Sequence, residues 1–247
     1  MLFFGQSHTI CILEAAKEDP SFSCNWVPFI PDTSGASIAM DSQGYRLNLP
    51  TEELLSETPS NNAVVISTCG GNAHNFISLI ETGPPFDFLF PEDNSRQLSA
   101  NSSAAMIPFE LIKTTLYNSL KIGDFTLLEA TKRNTPSIKF HLESPPPPKS
   151  NELILERLDP FFLSQHPKVK ITTPSVRLKM YKLHSLLYKV KCISMGIEFI
   201  PTPLSSMDKD GFLKTEFISE TSSTHANKAY GQLVIDQLKE KLNEQSI

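Results

Sequence analysis

The chain has 247 residues, 40% of them hydrophobic and 20% charged, which is ordinary for a soluble globular protein and long enough for one large core. Its net charge of −5 leaves no surplus of Lys and Arg to neutralise phosphates, so a nucleic-acid groove is not expected. The four cysteines, Cys11, Cys24, Cys69 and Cys192, stand far apart with no CxxC pair, so no metal site is expected either.

Cys11, Cys69 and Cys192 lie within apolar runs or directly after one. They read as buried free thiols, which suits a reducing compartment. No stretch of about 18 apolar residues is present, so no membrane-spanning helix is expected. The N-terminus lacks a charged segment followed by a long apolar one, and "MLFFG" already reads as a strand. The expectation is a single domain over 1–247, beginning at Met1 and residing in the cytoplasm.

In chain order, "LFF" (2–4) reads as a strand and 8–17 as a helix. "ASIAM" (36–40) reads as a second strand and 51–57 as a short helix. "AVVIST" (63–68) is the clearest buried strand, β-branched, uncharged and bounded by Asn-Asn and Gly-Gly. Residues 74–81 and 105–121 read as helices, the second with Ile107, Leu111, Ile112, Leu116 and Leu120 on one side. "SIKFHL" (137–142) alternates like a strand and stops at a proline run, 145–148, which reads as a rigid loop.

Residues 175–195 read as a long basic helix whose lysines and arginine form a solvated face, with an anion-binding surface as the other option. "GIEFI" (196–200) is the last strand and about 225 to 243 the last helix. Strands alternating with helices imply a mostly parallel sheet of five strands between two helical layers. The regions 86–103 and 201–224 are long and aperiodic, and such loops often surround a site.

Ligands of open α/β sheets bind beyond the carboxyl ends of the strands. There the sequence places Gly5-Gln6-Ser7-His8, then Gly44, then "TCGGNAHN" with Gly70, Gly71, Asn72 and His74, then His141, and finally His225. Acyl transfer needs such a set: a nucleophile, a base for its proton, and donors where an oxyanion develops. "GGNAHN" lacks both the GxGxxG and the Gly-Lys-Ser/Thr phosphate loops, which counts against a nucleotide binder.

The order of these blocks resembles the GDSL-type, or SGNH, hydrolases. The match runs through Gly5-Gln6-Ser7, Gly44, Gly70-Gly71-Asn72-Ala73 and Ser222-Ser223-Thr224-His225, and spans nearly the whole chain. The resemblance implies a three-layer α/β/α sandwich of flavodoxin-like topology. It implies Ser7 as nucleophile, His225 as base and Asn72 as oxyanion donor, with the amides of Ser7 and of Gly44 or Gly71 completing the hole. His8 and His74 would flank the site and bind substrate, unless they are satisfied structural histidines. The implied substrates are carboxyl esters, including O-acyl groups on sugars, with no cofactor and no metal.

Three departures stand out. Gln6 and Ala73 each replace a family Asp, and Ser222 occupies the position of the triad acid. Glu220, two residues earlier, is the nearest substitute for the missing carboxylate, with Asp208 and Asp210 farther away. Without one, the histidine works in a Ser-His dyad. Each site residue also has a plainer reading: Ser7 as a helix N-cap, His225 as a surface histidine at a helix start, Asn72 as a turn residue. The same machinery would serve an acyltransferase, and the missing acid leaves room for a non-catalytic binding domain.

Overall fold

Phe3 and Phe4 are both completely buried, and they point to opposite faces of a sheet that helices cover on each side. That is why an uninterrupted apolar run, not an alternating one, opens the chain. The computed structural model describes every residue except 30–37, 42–43, 58–63, 92–103, 136–137, 166–168 and 245–247.

In order, the strands and helices are β1 (Leu2–Gly5), α1 (Ile10–Ala16), β2 (Asn25–Pro28), β3 (Ile38–Asp41), β4 (Gly44–Leu47), α2 (Leu49–Glu57), β5 (Val65–Thr68) and α3 (Ala73–Ser78). There follow β6 (Phe86–Asp87), β7 (Ala105–Met106), α4 (Phe109–Ile122), α5 (Asp124–Asn134), β8 (Ile138–Leu142), α6 (Asn151–Glu156), α7 (Pro160–Gln165), α8 (Pro174–Ser194), β9 (Glu198–Ile200) and α9 (Lys228–Glu244).

The central sheet has five strands in the order β2-β1-β5-β8-β9, all parallel. One face packs Phe3, Ile66, Phe140 and Ile200 against α1 and α9, through Ile12, Val234, Ile235 and Leu238. The other packs Phe4, Val65 and Ile138 against Leu55 of α2, Leu127 and Leu128 of α5 and Cys192 of α8. The result is the expected three-layer α/β/α sandwich. The chain leaves β1 toward β2 on one side and returns as β5 on the other, so the β1/β5 boundary is the switch point where a crevice opens.

The expected strand at 36–40 is not part of this sheet. Ile38–Asp41 runs antiparallel to Gly44–Leu47 in a separate hairpin, and residues 36–37 lie outside the described ones. Its place is taken by β2, "NWVP", an edge strand with an exposed Asn25 and a terminal Pro28, both of which mask it as a strand. The helix expected over 105–121 begins at Phe109, breaks at Gly123 and is followed at once by α5.

The basic helix also departs from expectation. Arg177 and Lys179 of α8 are buried, not solvated. Lys179 Nζ pairs with Asp87 at 2.8 Å and donates to the Phe88 carbonyl at 2.9 Å. The Arg177 guanidinium donates to the carbonyls of Pro148 and Lys149 at 3.1 and 2.9 Å, which pins the end of the proline run.

Candidate active site

Ser7 opens a single 3-10 turn, Ser7–Thr9, directly beyond β1. The turn is set by Gly5, whose φ of +150° and contact with Thr68 leave no room for a Cβ. The Ser7 hydroxyl does not cap the helix that follows. Its Oγ lies 2.6 Å from His225 Nε2, across 218 residues of sequence. The Ser7 N–H, first in its turn, has no partner within it.

The His225 ring is fixed from its other side. Ser222 Oγ lies 2.8 Å from Nδ1, and Thr224 Oγ1 lies 3.2 Å from it. With Nδ1–H donating to Ser222, Nε2 is left unprotonated and accepts the Ser7 proton. The loop carrying Ser222 is tied down by Ser223 N–H to the Arg157 carbonyl at 2.8 Å and Ser219 N–H to the His225 carbonyl at 3.0 Å. Burial lowers the His225 pKa below the usual 6.5, against a smaller raising effect of the Asp159 charge. Asp159, not Glu220, is therefore the carboxylate whose charge reaches this ring. Glu220 is exposed, and the Nδ1 position expected of it is held by Ser222.

Asn72 precedes α3, just beyond β5. Its Oδ1 accepts from Asn75 Nδ2 at 2.9 Å, one turn along the helix. That bond fixes which end of the amide is the acceptor and leaves the Asn72 NH2 as the group able to donate. Ser7 and Asn72 line one cavity of about 320 Å³, walled also by Gln6, Phe29, Phe76 and Asp124.

Gln6, in place of the family Asp, bridges two elements. Its Nε2 donates to Asp124 Oδ1 at 3.2 Å, and its Oε1 accepts from the Gly70 N–H. Gly70, at φ +84°, sits so close to the Tyr188 hydroxyl and the Asp124 carboxyl that any side chain there would overlap them. Burial pushes the Asp124 carboxyl up to about 6, with Gln6 and Tyr188 opposing the shift. Sequence reasoning did not single out Asp124, Asn75 or Asp159. Asp124 follows a helix-breaking Gly123, which is a local signal for a helix start but not for a cavity wall.

The remaining expected site residues lie elsewhere. Gly44 pairs with Asp41 in the outer hairpin. Gly71, at φ +119°, faces the His8 ring behind the site, so it is not placed at the cavity either. His8 packs its ring against that of His225, centroids 4.9 Å apart, and does not line the substrate cavity. His74 is buried against His184 and Tyr181 at 4.9 and 5.7 Å. Burial lowers the pKa of both well below the usual 6.5, and their packing fits the structural alternative to substrate binding.

No family profile and no curated protein matches the chain. Solved structures similar to it include a GDSL-like lipase from Bacteroides thetaiotaomicron VPI-5482, 11% identical, TM-score 0.44, covering 100% of this chain and 88% of that one. An extracellular lipase from Streptomyces rimosus is 11% identical, TM-score 0.44, covering 96% of this chain and 97% of that one. Phospholipase A1 from Streptomyces albidoflavus NA297 is 13% identical, TM-score 0.45, covering 96% of this chain and 98% of that one.

Proposed function

We propose that this chain is a serine-dependent ester hydrolase of the SGNH type. The observation that carries the reading is the relay Ser7 Oγ, His225 Nε2, His225 Nδ1, Ser222 Oγ, with links of 2.6 and 2.8 Å around the ring. Ser7 Oγ attacks the ester carbonyl carbon as its proton passes to His225 Nε2. The carbonyl electrons move to the oxygen, and that oxyanion is met by the Ser7 N–H and the Asn72 NH2. Collapse expels the alkoxide, which takes the proton from Nε2. Water then repeats the sequence on the acyl-enzyme, and Ser7 is restored.

Ser222 supports the tautomer this cycle needs but brings no charge to the imidazolium, so the hydrolysis is slow beside that of a carboxylate triad. The substrates are carboxyl esters small enough to place one part in the cavity beside Ser7, a class that includes O-acylated sugars. A second alcohol entering in place of water would make the reaction an acyl transfer. Cys11, Cys24, Cys69 and Cys192 are all free thiols, which suits work in a reducing cytoplasm.

A fluorophosphonate probe tests the reading. It labels the wild type and not Ser7→Ala, and the same substitution abolishes hydrolysis of p-nitrophenyl acetate. A wild type that takes no label, or a Ser7→Ala variant that keeps full activity, leaves a non-catalytic binding domain instead.

A further inference from the structure

Two acidic side chains, one buried and one partly exposed, stand in functional contrast. Asp87 is completely buried and paired with the equally buried Lys179 at 2.8 Å. Asp124 has no ion pair among the described residues. Its carboxyl is met by neutral groups, Gln6 Nε2 at 3.2 Å and the Tyr188 hydroxyl beside it. An unpaired carboxylate taken out of water carries a desolvation penalty that a neutral hydrogen bond offsets only in part. Where the fold uses a buried acid for structure it supplies a cation. At Asp124 it supplies a cavity.

That cavity also holds Ser7 and Asn72, and Asp124 is the only ionisable side chain lining it among the described residues. Its wall also carries the aromatic side chain of Phe76, largely exposed, and an aromatic ring attracts cations and adds little for anions. We infer that the cavity selects carboxyl esters bearing a positively charged ammonium group, held by the Asp124 carboxylate beside the Phe76 side chain. The inference deepens the hydrolase reading by giving its substrate class. The cation site itself stands on the cavity and does not require Ser7 to react.

The carboxylate is ionised above its raised pKa of about 6, so the site is charged at neutral pH. It repels esters with carboxylate or phosphate tails. Gln6 couples the two ends of the cavity: the same side chain holds Asp124 and takes the Gly70 N–H. A cation drawn to Asp124 thus sits one bridging residue away from the nucleophile.

Acetylcholine and its neutral carbon isostere, 3,3-dimethylbutyl acetate, differ in charge and hardly in shape. The wild type is expected to favour the cationic ester by about tenfold or more in kcat/KM. In Asp124→Asn the ratio falls to near one. Ser119→Lys, which places a competing cation on the cavity wall, lowers the same ratio without removing the carboxyl and serves if Asp124→Asn fails to fold. In calorimetry, tetramethylammonium binds the wild type and Ser7→Ala but not Asp124→Asn, while tert-butanol binds none of them.

Equal rates on the two esters, a preference for a neutral O-acetylated sugar, or a preference that survives in Asp124→Asn overturns the inference. So does tetramethylammonium that fails to bind, whatever the esters do. Tetramethylammonium bound by both the wild type and Ser7→Ala, with no ester cut, keeps the cation site and removes the hydrolase reading.

Discussion

Ser222 Oγ stands 2.8 Å from His225 Nδ1, so a hydroxyl, and not a carboxylate, holds the second nitrogen of the ring that Ser7 touches. A hydroxyl can accept the Nδ1–H and set the tautomer. It cannot neutralise the imidazolium that forms when Ser7 gives up its proton. Ser222→Asp is therefore expected to raise kcat on p-nitrophenyl acetate by about tenfold, the value of roughly one pKa unit of added stabilisation. Ser222→Ala, which frees the ring to turn, lowers kcat by about tenfold or more. Glu220→Gln changes the rate less than twofold, since Glu220 is exposed and the ring is already held. A large loss in Glu220→Gln would show that the loop re-forms around that acid during turnover.

Asn75 fixes the direction of the Asn72 amide, and in the proposed mechanism it thereby decides which end meets the oxyanion. Asn72→Ala should cost roughly 10² to 10³ in kcat with little change in KM, as expected for a donor that acts in the transition state. Asn75→Ala leaves the amide free to flip and costs about tenfold. Asn75→Asp is the sharper variant. Its carboxylate accepts from the Asn72 NH2, turns the amide oxygen toward the reacting carbonyl, and should lower kcat more than Asn75→Ala does. Steady-state kinetics on one ester check the ranking. Equal losses in the two Asn75 variants would mean that Asn75 only packs α3.

Much of this architecture was legible because core strands of a parallel sheet are uninterrupted apolar runs. Phe3-Phe4 and Val65-Ile66 face both helical layers and leave no doubt. The edge strand β2 was not legible, since only Val27 of its four residues is buried. Ser7, Asn72 and His225 stood out in the sequence because each stands beyond a strand end or just before a helix. The partner of His225 was not, because Ser222 acts through a hydroxyl at a position read as the gap left by an acid. Asp124 depends on Gln6, 118 residues away, and Asn75 on the direction of one amide. Neither relation leaves a mark in local periodicity or composition.

The catalytic base gives the rate its pH dependence. His225 must be neutral at Nε2 to take the Ser7 proton, and burial lowers its pKa below 6.5. The rate is therefore expected to rise with pH through a midpoint below 6.5 and then level off. Ser222→Asp adds a negative charge beside Nδ1, raises the histidine pKa and moves that midpoint to higher pH. A pH profile of kcat/KM for wild type and variant reads both. A midpoint above 6.5 in the wild type, or no shift in Ser222→Asp, would remove His225 from the role of base.

The buried histidines behind the site set a second pH dependence, that of stability. His141 stacks on Tyr188 at 4.6 Å and His184 lies 4.7 Å from the same ring, while His74 joins the row at 4.9 Å from His184 and His8 packs on His225. Burial drives His141 and His184 down to about 3, and His8 and His74 well below their ordinary value. Between pH 6.5 and about 3 the unfolded chain binds protons at His141 and His184 that the folded chain refuses, and His8 and His74 act in the same sense, so stability falls as pH falls. Asp124 works in the opposite sense. Its folded pKa of about 6 exceeds the unfolded value, so it favours the folded state toward acid, but it is one group against these four histidines and His225, whose pKa burial lowers too. The expected outcome is a Tm that drops steeply from pH 7 toward pH 4.5, with each histidine contributing about 1.4 kcal/mol per pH unit where its proton is differentially bound. His184→Gln removes one such group and should flatten the decline by about one proton, whatever it does to the Tm at neutral pH. Thermal melts of both proteins across that range decide it: a Tm that stays level in the wild type, or an unchanged slope in His184→Gln, would show that these rings take up protons without unfolding.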